Sequence, residues 1–176
     1  MNSNSRAYRA YSADSVYNRT FQCLSNLYLN SRDMQDECRK DKENNGELYF
    51  SKTFCTIRLC GPRRSGHSMA ILRFLSEYNL ISHIILPNLR MVQMYQDYID
   101  EYEYCPLHIP TFHSVHVLDK LEDKLEDKLE KVEMSGVDCL IMDVSCLLSN
   151  ADEARIYKIG HRLMFGMPYR YYIFME

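Results

Sequence analysis

The chain has no tryptophan and no apolar run of about 18 residues, so nothing in it reads as a membrane-crossing helix. Its first residues, Met-Asn-Ser-Asn-Ser-Arg, lack the apolar stretch of a secretory signal. An intracellular, cytoplasmic protein without membrane attachment is expected. No C-x-x-C pair occurs among the 7 cysteines, at positions 23, 38, 55, 60, 105, 139 and 146, and several lie in strand-like apolar runs. Reduced, buried thiols are therefore expected rather than disulfides. There is no Ser-His-Asp order and no nucleophile elbow. Positive charge is not in excess either: the net charge is −3, which gives no global signal for nucleic acid. The 14 tyrosines fall mostly on helical stripes or in the last strand, where an aromatic suits a half-buried pleat, so core use is favoured over base stacking.

What is present suits a folded domain, with 46% hydrophobic and 26% charged residues in 176 positions. Tyr17, Phe21, Leu24 and Tyr28 recur at helical spacing, predicting an amphipathic helix over roughly 13–39 that ends in the charged stretch Asp41 to Gly46. Residues 1–50 read as an N-terminal helical extension and 51–176 as the main domain. Phe54 to Cys60 is a predicted strand feeding a helix from Gly66 to Asn79. A second strand, Ile81 to Leu86, stops at Pro87 and is followed by a helix from Asn88 to Tyr102 with Leu89, Val92, Tyr95 and Ile99 on one side. Val115 to Leu118 is a short candidate strand. Three copies of Asp-Lys-Leu-Glu from Asp119 to Glu130 place Leu121, Leu125 and Leu129 on one slowly spiralling stripe, a helix with a thin apolar seam. Val137 to Val144, a helix from Ala151 to Phe165 and a last strand from Tyr169 to Phe174 complete the order. Alternating strands and helices predict an α/β fold, a mostly parallel doubly wound sheet with ligands at the strands' carboxyl ends.

Two motifs fall at such ends. After the first strand the chain reads Gly61-Pro62-Arg63-Arg64-Ser65-Gly66-His67-Ser68, the G-x-x-x-x-G-K-[ST] phosphate loop at every position but one. In that loop, backbone N–H groups curl around phosphates at the positive start of a helix, the lysine reaches the β and γ phosphates, and the Ser/Thr hydroxyl holds Mg²⁺. His67 stands in the lysine's place. The second motif is Leu140-Ile-Met-Asp143, an apolar strand ending in an acid, the form called Walker B, whose carboxylate holds the phosphate-bound Mg²⁺ directly or through water. Ser68 and Asp143 are thus the expected metal-side residues, with ATP or another nucleoside triphosphate and Mg²⁺ as the cofactor.

These residues, with Ile84-Ile-Leu-Pro-Asn88 and the closing Tyr169-Arg-Tyr-Tyr-Ile-Phe174, make 54–176 resemble the RecA-like core of P-loop ATPases, most nearly helicases and viral terminases, the DNA-packaging motors. The resemblance implies a P-loop NTPase fold and, on its terminase side, the host cell of a virus as location. It also implies a weakened catalytic step, because the family's P-loop lysine and the acid after the Walker B aspartate correspond to His67 and Val144. Loss of one transition-state stabiliser costs about 10²–10³ in rate, and loss of a water-orienting base about 10²–10⁴. Binding with weak or no hydrolysis is the expectation. A pseudo-ATPase scaffold that binds no nucleotide is one alternative, and a slow ATPase using Arg63 or Arg64 to grip phosphate is another. The chain is not expected to act as an isolated motor.

The remaining candidates read as structural. Asp152 and Glu153 suit a helix start, Asp138 lies at the wrong end of its strand for catalysis, and Glu176 is the last residue. Cys105, His108, His113 and His116 contain metal-ligand types, but Pro106 and Pro110 stiffen a spacing unlike that of structural zinc sites, so no zinc is expected. His83 and His161 show no partner in the sequence. Charge is divided: Lys52, Arg58, Arg63, Arg64, Arg73 and Arg90 face only Glu77 around the loop, whereas Asp97, Asp100, Glu101, Glu103 and the repeat are acidic. A protein partner or a free nucleotide is expected as ligand, with DNA binding weak or absent.

Overall fold

The computed structural model describes residues 16–60, 66–101, 107–117, 136–143 and 148–175. Five strands, β1 (Thr56–Leu59), β2 (Ser82–Leu86), β3 (Thr111–Ser114), β4 (Cys139–Met142) and β5 (Tyr171–Met175), form one sheet in the order β1-β5-β4-β2-β3. Every pairing is parallel, with Thr56 opposite Tyr172, Cys139 opposite Tyr171, Ser82 opposite Cys139 and His83 opposite Thr111. β4 and β5 are buried at every position, as a sheet covered on both faces requires, and they read as continuous apolar runs rather than alternations.

One face carries α1 (Val16–Glu37), α4 (His67–Tyr78) and α5 (Leu89–Glu101). Their Leu24, Tyr28, Ile71, Phe74, Leu75 and Tyr95 pack on Ile57, Ile84, Ile141 and Ile173. On the other face, α3 (Glu47–Phe54) and α6 (Asn150–Leu163) lay Phe50, Phe54, Ile156, Ile159 and Leu163 on Ile85, Leu140, Met142, Tyr172 and Phe174. Helices on both faces of a parallel sheet make the fold a doubly wound α/β sheet, as the alternating pattern predicted. Among the described residues no helix is long and apolar enough to cross a membrane.

Two local expectations are corrected. The stretch after α1 is helical: α2 (Arg39–Asn45) and α3 take up residues read as a charged break and the start of a strand. Gly46, at φ 85°, ends one helix and begins the next. Its N–H bonds to the Lys42 carbonyl, and its carbonyl takes the Phe50 N–H. Phe50 and Phe54, one turn apart, then face the core, so the first strand starts only at Thr56. The third strand lies at Thr111–Ser114, and Val115–Val117 is a 3₁₀ turn, because pairing with β2 buries Ser114 and sets Phe112 beside Tyr95, ring centroids 5.6 Å apart. In the sheet, β5 lies between β1 and β4. The Asp-Lys-Leu-Glu repeat lies outside the described residues.

Candidate functional site at the carboxyl ends of the strands

Because all five strands run the same way, the residues after β1, β2 and β4 emerge at one edge of the sheet. Gly66 stands at the start of α4 with φ 73°, a left-handed backbone that glycine adopts without strain, and no side chain caps the helix. The first-turn N–H groups of a helix have no intrahelical partners, and the macrodipole adds positive potential there. α6 shows the contrast. Its start is closed by a capping box in which Ser149 Oγ accepts the Asp152 N–H at 3.2 Å and Asp152 Oδ2 accepts the Ser149 N–H at 3.1 Å. An uncapped start such as that of α4 is the form that receives an anion.

Asp143 follows β4 and is anchored by its backbone N–H, which extends the ladder to the Ile85 carbonyl at 3.1 Å. Its carboxylate meets Ser68, in the first turn of α4. Ser68 Oγ donates to Asp143 Oδ2 across 3.5 Å, a long contact, between residues 75 positions apart in the chain. Two strand spacings, about 9.6 Å, separate β1 from β4, yet the first turn of α4, which follows β1 in the chain, lies beside Asp143. Tyr95, fully buried on α5, donates its hydroxyl to the same Oδ2 at 2.8 Å. The Nε2 atom of His67, also at this end, is buried with no hydrogen-bond partner among the described residues.

Burial raises the Asp143 carboxyl above its ordinary range, against the opposing pull of the Tyr95 hydrogen bond, the His67 charge and the Ser68 hydrogen bond. Tyr95 is pushed far up by burial and then by the carboxylate beside it, so it stays a donor at any ordinary pH. One hydroxyl and one carboxylate are hard oxygen donors, which suit Mg²⁺, and Mg–O distances of about 2.0–2.1 Å let two oxygens on one ion lie as much as about 4.2 Å apart. The donor set of Ser68 and Asp143 therefore fits that ion, with the remaining positions open to phosphate and water.

The structure brings together Gly66, His67, Ser68 and Asp143. Gly61, Pro62, Arg63, Arg64 and Ser65 lie outside the described residues, as do Val144, Cys105 and Glu176. The other candidates hold structural places. Asp138 Oδ2 accepts the Ile81 N–H at 2.8 Å, Asp152 caps α6, and Glu153 pairs with Arg58 at 2.5 Å. His83, read as partnerless, meets His113 ring to ring with Nδ1 and Nε2 2.9 Å apart, and His161 lies 3.2 Å from Arg170 Nη1. Among the described residues no group of three or more His, Cys, Asp or Glu side chains is placed to hold a metal ion.

Tyr95 is the site residue that sequence reasoning placed only on an apolar stripe. Its signal was chemical: a buried phenol needs a hydrogen-bond partner, and the helix that carries it follows the strand beside the acid-ended one. No protein-family model matches the chain, and no curated protein matches it.

Proposed function

We propose that the chain is a nucleotide-binding P-loop domain that hydrolyses its ligand weakly or not at all, related to the helicase and terminase ATPases it resembles. The observation that carries this reading is the meeting of Ser68 with Asp143, 3.5 Å apart at the uncapped start of α4. A hydroxyl in the first helical turn after a glycine loop, facing the acid of a central strand, is the pair that a triphosphate-bound Mg²⁺ requires. When bound, Mg²⁺ would neutralise phosphate charge and fix the orientation of the chain of phosphates.

Weak turnover follows from the residue types. His67 replaces the flexible ammonium that would stabilise charge on the γ-phosphate, and Val144 replaces the acid that would orient water. The two losses act on the chemical step rather than on the glycine and helix-terminus part of binding. The fold supports a ligand at this edge, since α/β sheets bind at the carboxyl ends of their strands.

Calorimetric titration with ATP and Mg²⁺ tests the reading. Saturable binding that Ser68→Ala weakens at least about 10-fold is the expected result, with His67→Lys tightening binding while hydrolysis stays low. Absence of binding would overturn it in favour of a scaffold that works through protein contacts. Motor-like turnover from His67→Lys alone would reveal a base elsewhere in the chain.

A further inference from the structure

We infer that Tyr95 is a positioning residue for Asp143, holding one carboxylate oxygen so that the other is presented to a nucleotide-bound divalent cation; this rests on the nucleotide reading above. Three facts carry it. Tyr95 is fully buried, its hydroxyl donates to Asp143 Oδ2 at 2.8 Å, and the Ser68 hydroxyl reaches the same oxygen. The phenol therefore ties α5 to the end of β4 and to the first turn of α4 at a single point.

A core-filling role alone does not account for this arrangement. Phenylalanine would fill the same volume on Phe112 without needing a polar partner, and desolvating a carboxylate even in part, as at half-buried Asp143, costs more than leaving out a hydroxyl. The pair makes sense when the acid is the required member and the phenol serves it. With Oδ2 anchored, rotation of the carboxyl group is restricted and Oδ1 is the oxygen available to a cation. Partners that orient metal ligands in this way are commonly worth about 10–100-fold in metal affinity.

The test is ATP titration by calorimetry, in Mg²⁺ and in EDTA, on the wild type, Tyr95→Phe, Asp143→Ala and the double variant. The affinity gained on adding Mg²⁺ should fall about 10-fold or more in Tyr95→Phe, with the EDTA affinity unchanged. It should fall at least as far in Asp143→Ala, and the double variant should be no worse than Asp143→Ala alone. A Mg²⁺ gain retained in Tyr95→Phe, an equal loss with and without Mg²⁺, or a further loss in the double variant would each overturn the positioning role while leaving the nucleotide reading intact. A Mg²⁺ gain retained in Asp143→Ala overturns it without reference to the Tyr95 variant. A wild type that binds no ATP in either buffer overturns both.

Discussion

Two groups of polar side chains at opposite ends of the sheet are held differently. At the amino end, beside Ser82 Oγ and Tyr171 OH, which are buried with no hydrogen-bond partner among the described residues, one group around Arg170 closes on itself. Gln35, only 3% exposed, donates its amide to the Arg170 carbonyl at 3.0 Å and accepts the Arg170 N–H at 3.1 Å, and Ser31 donates to the Phe54 carbonyl at 2.6 Å. The Arg170 guanidinium pairs with Glu47, which Lys42 also holds at 2.9 Å. At the carboxyl end, among the described residues, half-buried Asp143 accepts hydrogen bonds from the Ser68 and Tyr95 hydroxyls, Gly66 offers the neighbouring helix start no side-chain cap, and His67 Nε2 is buried without a partner. The titration of the two acids reflects this. Burial works to raise Glu47, but the Lys42 hydrogen bond and the charges of Arg170, Lys42 and His161 outweigh it and hold the carboxyl low. Burial dominates at Asp143 and its carboxyl rises. A network that satisfies itself locks a fold, whereas an acid whose desolvation outweighs the pull of its partners is an arrangement that stability alone does not select.

The comparison is broken most directly at Gln35. Gln35→Leu strands both backbone groups of Arg170 in the interior, at about 1–3 kcal/mol for each unsatisfied group. With about 2–4 °C per kcal/mol for a chain of this size, Tm in a thermal melt should drop by roughly 5–15 °C, while ATP affinity below the melt stays as in the wild type.

The His83–His113 pair, in the sheet between the two ends, predicts the next effect. Burial and then the neighbouring His113 charge bring the His83 ring down to about 4. The folded state therefore holds His83 neutral while the unfolded chain, titrating near 6.5, takes up a proton. Between those values the unfolded state binds more protons, so stability falls as pH falls from about 6.5 to about 4, by on the order of 3 kcal/mol. Denaturant melts across that range should show the slope, and His83→Gln should flatten it.

The smallest effects sharpen the contrast, because they carry opposite signs. Glu47 is held low, so its contribution is present above the ordinary carboxylate range and is lost as pH falls through its lowered value. Glu47→Gln should cost about 1 kcal/mol at neutral pH. Asp143 is raised, so the folded state binds the extra proton and stability falls as pH rises through the raised value. Asp143→Asn, which can still accept from Tyr95, should raise Tm at neutral pH by about 2–4 °C. If both substitutions destabilise alike in chemical melts, the two ends do not differ as described.

Helix and strand order was legible in the chain because each element advertises itself locally. The apolar runs Cys139–Met142 and Tyr171–Met175 mark buried strands, Asn79 marks the end of α4, where it sits at φ 51°, and Ser149 with Asp152 marks the start of α6. The errors share one cause. α2 and α3 depend on Gly46 allowing two short helices to meet and on Phe50 and Phe54 finding a core, and β3 depends on the register that β2 offers.

By itself, then, the sequence determined the alternating α/β order, the glycine string before α4 and the acid at the end of β4, since periodicity, turn chemistry and apolar runs are properties of neighbouring residues. The place of β5 between β1 and β4, the meeting of Ser68 with Asp143 and the bond from Tyr95 arise only in the folded chain. These are contacts between residues 48 and 75 positions apart. Strand pairing and helix packing select them by burying surface throughout the chain, and no local pattern encodes that selection.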